Sequence, residues 1–403
     1  MSMEPLRGVR VLEFGSAITA PMCCMLLSEM GAEVIKIEPP GRGDDSRSWG
    51  VKKNGESPYF AHYNKNKKSL ALNLKAHEGL EIALKLAEKS DVVVENFRPG
   101  VMHRLGLGYE VVKQLNPRVV YCSISGFGQT GPYRDLGGYD AIIQGMCGLM
   151  SVTGEPDGEP MRVGVPITDV VTALYAAYSI LLALLWRERT GEGQFIDISL
   201  YEAGVSLMGQ WISIYSATGH LPTRFGNKYP LLAPYEPIKT KDGYVILGIG
   251  NDELWRKFCK IINREDLAYN SKYRTNQDRI KPENREELIN TLSEIMSRRT
   301  TDEWIEILWR NGIPAGPINT IDKILKDPHL NERMFFVKMS HPIMGELTTL
   351  NPVPKFEKFT GGVRSNAPLL GEHSVEILKT LGYSYDEIEN FIAKGVISTT
   401  VKK

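Results

Sequence analysis

Asp169 stands directly before residues 170–186, a run of seventeen without a charged side chain. An ionisable group at the mouth of an apolar helix needs a reason to be there. In Gly164-Val165-Pro166-Ile167-Thr168-Asp169 the proline and the polar Thr/Asp pair read as a helix start, placing Asp169 at the N-cap or in the first turn. Free N–H groups and the positive helix end favour an ionised carboxylate there, by about 0.3 to 1 kcal/mol when exposed. A carboxylate kept charged beside an apolar wall can act as a nucleophile; the same residue can equally do no more than cap its helix.

Basic residues form a second set: Arg42, Arg47, Lys65, Lys67, Lys68, Lys75, Arg98 and Arg104, mostly in loops after strand-like segments. Arginine forks phosphate oxygens and lysine neutralises them as a point charge, so the set suits a phosphorylated handle. A solvated surface explains individual members equally well. Asn96-Phe97-Arg98-Pro99-Gly100 follows an apolar strand, where ligands lie in open α/β sheets. The glycines of Gly126-Phe127-Gly128-Gln129-Thr130-Gly131-Pro132 would let backbone approach a ligand closely, or simply build a turn.

Other chemistries find little support. The turn at Gly15-Ser16-Ala17-Ile18-Thr19-Ala20 has one of the three glycines of a dinucleotide fingerprint. No G-x-S-x-G elbow occurs, and none of the seven histidines sits in a metal or triad arrangement. Cys23, Cys24, Cys122, Cys147 and Cys259 form an odd set without a CxxC pair, which suggests a reducing compartment and no structural zinc. Lysine plus arginine equals aspartate plus glutamate at 48 each, so no net field draws the chain to nucleic acid or an anionic membrane. Residues 1–9 lack an apolar signal region, and 170–186 is short for a bilayer span; a buried core helix and a cytoplasmic protein are expected.

The elements that would position these groups alternate between strand and helix. Residues 9–14, 33–38, 91–95, 119–124 and 195–200 read as strands, with helices over 21–30, 78–89 and 170–186. That grammar implies an α/β fold with a mainly parallel sheet covered on both faces. Near Ser216 prolines crowd the chain, and a strand over 243–248 and helices over 253–262, 285–298 and 302–311 follow. Thr300 with Glu303 and Ser384 with Glu387 match capping boxes, and a further helix is expected over 375–381. With 403 residues two domains are the default. The boundaries fall at 1–215, 216–330 and a C-terminal return over 331–403.

Together these segments resemble the family III CoA-transferases (CaiB/BaiF type), which include formyl-CoA transferase, carnitine CoA-transferase and, as a divergent branch, the 2-methylacyl-CoA racemases. Arg7-Gly8-Val9-Arg10-Val11-Leu12-Glu13-Phe14, the run Gly31 to Gly41, Asn66-Lys67-Lys68-Ser69, Val94-Glu95-Asn96-Phe97-Arg98-Pro99-Gly100, Ser125 to Pro132, Thr190-Gly191-Glu192-Gly193-Gln194 and Ala367-Pro368-Leu369-Leu370-Gly371-Glu372-His373 carry the resemblance across nearly the whole chain. It implies a large Rossmann-like domain built from both termini, a smaller α+β domain between, and an interlocked homodimer.

The resemblance also places the family's nucleophilic aspartate on Asp169. It implies CoA contacts at Ile18, Arg42, Leu72, Asn73, Lys75, Asn96, Phe97, Arg98, Arg104 and Tyr139. The implied reaction moves CoA from an acyl-CoA donor, frequently succinyl-CoA among microbial relatives, to a free carboxylic acid. It runs through an aspartyl mixed anhydride and an aspartyl-CoA thioester, with no further cofactor or metal required.

Two departures matter. The small domain has only Gly248-Ile249-Gly250-Asn251 where formyl-CoA transferases carry a glycine-rich loop, so formyl-CoA and oxalate are not the expected pair. Racemases place a catalytic histidine in Gly-His-Asp, where this chain reads Gly138-Tyr139-Asp140. A racemase and a non-catalytic acyl-CoA binding protein are the alternatives. Deuterium entering the acyl α-carbon would mark the first, and CoA binding without turnover the second.

Overall fold

The computed structural model describes residues 4–400; the extreme ends of the outer predicted segments, 1–3 and 401–403, lie outside the described residues. The chain divides into one unit of Met1–Leu149, Val163–Ala217 and Pro328–Lys403, and another of Met150–Arg162 and Thr218–Asp327. The continuous segment expected over 1–215 is therefore interrupted. Gly226 N–H donates to Gly154 O, and Arg224 donates to the carbonyls of Glu155, Pro156 and Gly158, tying 150–162 into the second unit.

The first unit is built on β1 (Arg10–Phe14), β2 (Glu33–Glu38), β3 (Lys67–Leu72), β4 (Val92–Glu95), β5 (Val120–Ser125) and β6 (Gln194–Ser199). These pair in parallel in the order β3-β2-β1-β4-β5-β6, and Ile397–Ser398 adds antiparallel to the free edge of β3. Alternation along the strands supplies two buried faces. Leu12, Phe14, Ile35, Ile37, Leu70 and Val93 form one core, under the helices His77–Glu88, Ser374–Thr380 and Tyr385–Ala393. Val11, Val34, Val92, Val94, Val120 and Ile124 form the other, under Thr19–Glu29 and Ile167–Thr190. Strand order reverses between β1 and β4, and the crevice beyond their C-terminal ends is where such sheets hold ligands. All five cysteines are buried and unpaired.

The long helix is the expected core helix on one face only. Ala173, Ala176, Ala177, Ile180, Ala183 and Leu184 form a small-residue face packed into the second core, with Cys23, Cys24 and Leu27 of the first helix. Leu174, Tyr178, Leu182 and Trp186, four residues apart, form an opposite stripe, each about half exposed. By length and composition the helix could cross a membrane, but its small-residue face is committed to this core. Gly191 ends it in the left-handed conformation, φ 82°, as a C-terminal glycine does.

Strand β3 escaped the pattern because it opens on Lys67-Lys68. Lys67 is nevertheless buried, and its ammonium meets Glu13 of β1 at 2.8 Å. Lys36 of β2 reaches the same carboxylate at 2.7 Å and Asp44 at 2.8 Å.

The second unit carries an antiparallel sheet of β7 (Tyr235–Lys239), β8 (Tyr244–Gly248) and β9 (Ala315–Pro317). Helices Asp252–Ile261, Pro282–Met296 and Thr301–Arg310 close around Trp255, Phe258, Leu288, Leu292, Trp304 and Leu308. Both expected capping boxes form, at Thr300/Glu303 here and at Ser384/Glu387 in the first unit.

Candidate active site

Asp169 is the third residue of the helix Ile167–Thr190, and its carboxyl makes no hydrogen bond or ion pair among the described residues. The cap comes from elsewhere. Asp140 Oδ1 accepts the Thr168 N–H at 3.0 Å and the Thr168 hydroxyl at 2.8 Å. The capping role open to Asp169 is thus taken by another residue, and the Asp169 carboxyl stays available. Burial, with the nearby Asp140 charge second, pushes it up to about 7. This reverses the expectation that the helix end would hold it ionised: that effect is worth only a fraction of what desolvation and a like charge exert.

Asp140 itself is delivered by glycines. Gly126 and Gly138 pack backbone to backbone, and a Cβ on Gly126 would sit 2.8 Å from the Gly138 Cα. The glycines expected to admit a ligand admit a second strand of chain at this point.

A row of aromatic rings that no sequence pattern marked includes two phenols, Tyr59 and Tyr63, that feel the charge of Asp169. The helix Pro58–Asn64 starts at Ser57, whose hydroxyl accepts the Phe60 N–H, and it carries Tyr59 and Tyr63 four residues apart on one face. Burial raises the Tyr59 phenol, as do Tyr63 and the charges of Asp169, Asp140 and Asp44; burial and then Asp169 raise Tyr63. Both phenols are therefore protonated donors at neutral pH. Trp49 stands 5.9 Å from Tyr59, ring centre to ring centre, and His62 4.7 Å from Tyr63. Burial, aided by Lys65, pushes His62 down to about 4. The i, i+4 tyrosines after a Ser-Pro helix start were the signal that could have flagged this face.

A cleft of about 360 Å³ opens at the C-terminal ends of β1 to β4. Arg42, Leu72, Asn73, Lys75 and Phe97, five of the residues singled out for CoA, line it together with Asp44. Ile18, Asn96, Arg98, Arg104 and Tyr139 do not. Ile18 is buried at the start of the first helix. Asn96 shapes the β1 turn: its Oδ1 accepts the Ser16 N–H at 2.9 Å, and its Nδ2 donates to Ser16 O and the Thr19 hydroxyl. Arg98 borders a separate cavity, Arg104 covers Gly100, and Tyr139 is 73% exposed.

The β1 turn is held rigidly. Asp44 accepts the Ala17 N–H at 3.1 Å and the Ser46 N–H at 2.8 Å, which keeps Ala17 at φ 67°, a conformation that costs a non-glycine residue about 1 kcal/mol or more. Burial would raise the Asp44 carboxyl, but Lys36 and the Ser46 hydroxyl and N–H hold it well below the usual carboxylate range. Gly15 is needed because a Cβ there would meet the Ala20 Cβ at 2.4 Å.

Four of the eight basic residues are corrected. Arg47 pairs with Glu38 at 2.7 Å, Lys65 with Glu29 at 2.9 Å, Lys67 with Glu13, and Lys68 with Glu33 and Glu376. They neutralise acidic side chains of the scaffold rather than awaiting phosphate.

Residues 6–374 match the family model described as CoA-transferase family III. Over 398 residues the chain is 42% identical to a succinyl-CoA:glutarate CoA-transferase of Mus musculus, covering 98% of this chain and 91% of that one. It is 38% identical over 397 residues to a succinate–glutarate CoA-transferase of Agrobacterium fabrum, covering 94% and 96%. Among solved structures, a CaiB/BaiF family protein from Brucella suis superposes with a TM-score of 0.85 at 37% identity, covering 94% of this chain and 99% of that one.

Proposed function

The chain belongs to CoA-transferase family III, and from that premise we propose that it moves CoA from succinyl-CoA to a free dicarboxylic acid of the glutarate type, with Asp169 as nucleophile. The observation that carries this reading is the unbonded, partly buried Asp169 carboxyl beside a helix end that Asp140 already caps.

The Asp169 carboxylate attacks the thioester carbonyl, the C–S bond breaks, and CoA thiolate departs from an aspartyl-succinyl mixed anhydride. The thiolate then attacks the aspartyl carbonyl, expelling succinate and leaving an aspartyl-CoA thioester. Acceptor carboxylate attacks that thioester, and the thiolate leaves again. It returns to the acceptor's acyl carbonyl, releases the new acyl-CoA and frees Asp169. One thioester replaces another, so the chemistry consumes no ATP. Protonated Tyr59 and Tyr63 supply donors for the developing oxyanions, a contribution of about 3 to 4 kcal/mol per donor in related chemistry.

CoA occupies the cleft, with Arg42 and Lys75 on its phosphates and Leu72 and Phe97 against its apolar parts. Ile18, Arg98, Arg104 and Tyr139 would meet CoA only where it extends beyond the cleft. Asp44 joins the two regions, since it lines the cleft and its charge reaches Tyr59. The racemase alternative lacks its histidine, and exposed Tyr139 stands there instead. The binding-only alternative loses its ground once Asp169 is not the cap.

The half-exposed stripe of Leu174, Tyr178, Leu182 and Trp186 supports assembly as an interlocked homodimer, with a second copy covering it. Five buried thiols suit a cytoplasmic location. Incubation with succinyl-CoA and hydroxylamine should convert Asp169 to its hydroxamate in a peptide map. An unmodified Asp169, or full activity in Asp169→Ala, would sink the reading.

A further inference from the structure

Glu95 ends β4 with a carboxyl only 5% exposed and in no ion pair among the described residues. Its Oε2 accepts the Phe97 N–H at 2.8 Å, and its Oε1 accepts the hydroxyl of Ser123 on β5. Ser123 Oγ in turn accepts the Gln129 side-chain amide at 2.9 Å, and the Gln129 backbone N–H donates to Asp197 of β6 at 2.9 Å. One carboxylate therefore lies between two working parts. Phe97 is a wall of the cleft, and Gln129 sits in the loop that leads through the Gly126–Gly138 contact to Asp140.

We propose that Glu95 is a positioning residue that fixes the cleft wall at Phe97 to the loop delivering Asp140, so that acyl-CoA binding depends on Glu95 being ionised. This rests on the reading of the cleft as the CoA site. As a carboxylate Glu95 accepts both hydrogen bonds. As an acid it must donate one, and Ser123, already accepting from Gln129, has to turn its own hydrogen away. Burial pushes Glu95 up to about 7, with Ser123 and Phe97 opposing and the Asp197 charge adding to the rise. Tyr121 of β5, on the same strand face as Ser123, lines with Arg98, His103 and Glu110 the adjoining cavity of about 250 Å³ onto which Glu95 opens. The switch thus falls where small changes in pH reset the linkage.

Steady-state kinetics of the full chain, with succinyl-CoA and glutarate between about pH 6 and pH 8, tests this on wild type, Glu95→Gln and Gln129→Ala. Glutamine presents the donor-and-acceptor pattern of the protonated acid at every pH. Wild-type KM for succinyl-CoA should rise as pH falls through about 7. Glu95→Gln should show KM raised about threefold to tenfold at the alkaline end, the size of one hydrogen bond, with that pH rise abolished. Gln129→Ala should raise KM while keeping the pH trend. If Glu95→Gln fails to fold, Ser123→Ala deletes the same bond from the other side and should raise KM likewise. Wild-type KM and pH trend in the variant would overturn the proposal. A wild-type chain that binds no succinyl-CoA in calorimetry would instead overturn the cleft reading beneath it.

Discussion

Asp140 holds Thr168 by both its N–H, at 3.0 Å, and its hydroxyl, at 2.8 Å, and this double grip leaves the carboxyl of the next residue, Asp169, without a partner. The same carboxylate both holds the helix start that carries Asp169, the proposed nucleophile, and, as a like charge, raises it.

Asp140→Asn separates those effects. The amide oxygen still accepts from Thr168, but the charge that adds to burial in raising Asp169 is gone. With ionised Asp169 as the active form, kcat/KM of wild type falls as pH drops through about 7. In Asp140→Asn the acid limb should move to lower pH, by about one unit or less. Asp140→Ala, which also removes the cap, should lose about 1 kcal/mol in urea denaturation.

Asp169 lowers stability in the neutral range. Its folded-state value lies above the ordinary 3.8, so the fold favours the acid form. Stability is greatest where the group is protonated in both states and falls as pH rises through about 7. Asp169→Asn, while inactive, should melt roughly 2 to 4 °C higher than wild type at about pH 8 and equally at about pH 4. Equal melting at both pH values would contradict the burial assigned to this carboxyl.

Lys67→Met tests the buried charges of the β1–β3 interior. Glu13 would keep Lys36 but lose its second partner, and removing one member of such a cluster costs about 3 to 5 kcal/mol. Denaturant unfolding and soluble yield would both report it. A neutral result would mean that water or movement reaches this site.

Gly126→Ala should act on catalysis from a distance. Its Cβ would press within 2.8 Å of Gly138 backbone, which cannot yield as a flexible side-chain tip would. The displaced segment carries Asp140, so kcat should fall by about tenfold or more, alongside about 1 to 3 kcal/mol of stability. Wild-type kcat in a correctly folded variant would show that this contact does not position Asp140.

How far these relationships were legible in the sequence depended on the signal each left. Alternating apolar residues marked β1 and β2, and Thr300/Glu303 and Ser384/Glu387 announced their caps, because these are local patterns with local causes. Asp169 was conspicuous against its uncharged run. β3 was hidden by Lys67-Lys68, whose partners come from other strands. Charge alone cannot tell a cation available to phosphate from one already paired inside the fold, so the pairing of Arg47, Lys65, Lys67 and Lys68 with acidic scaffold residues left no mark in the sequence, whereas Arg42 and Lys75 line the cleft. The charge of Asp169 acts on Tyr59 and Tyr63 across more than a hundred residues of chain, and the Asp140 cap on Thr168 spans twenty-eight.

The strand Ile397–Ser398, antiparallel on β3, has a consequence for biosynthesis. The edge it seals is synthesised long before the strand that seals it. Until that strand has been made, β3 presents an unpaired edge, the kind that invites stray pairing. Completion of the sheet therefore waits on a distant segment, and the edge stays open for the whole time the intervening unit is being synthesised.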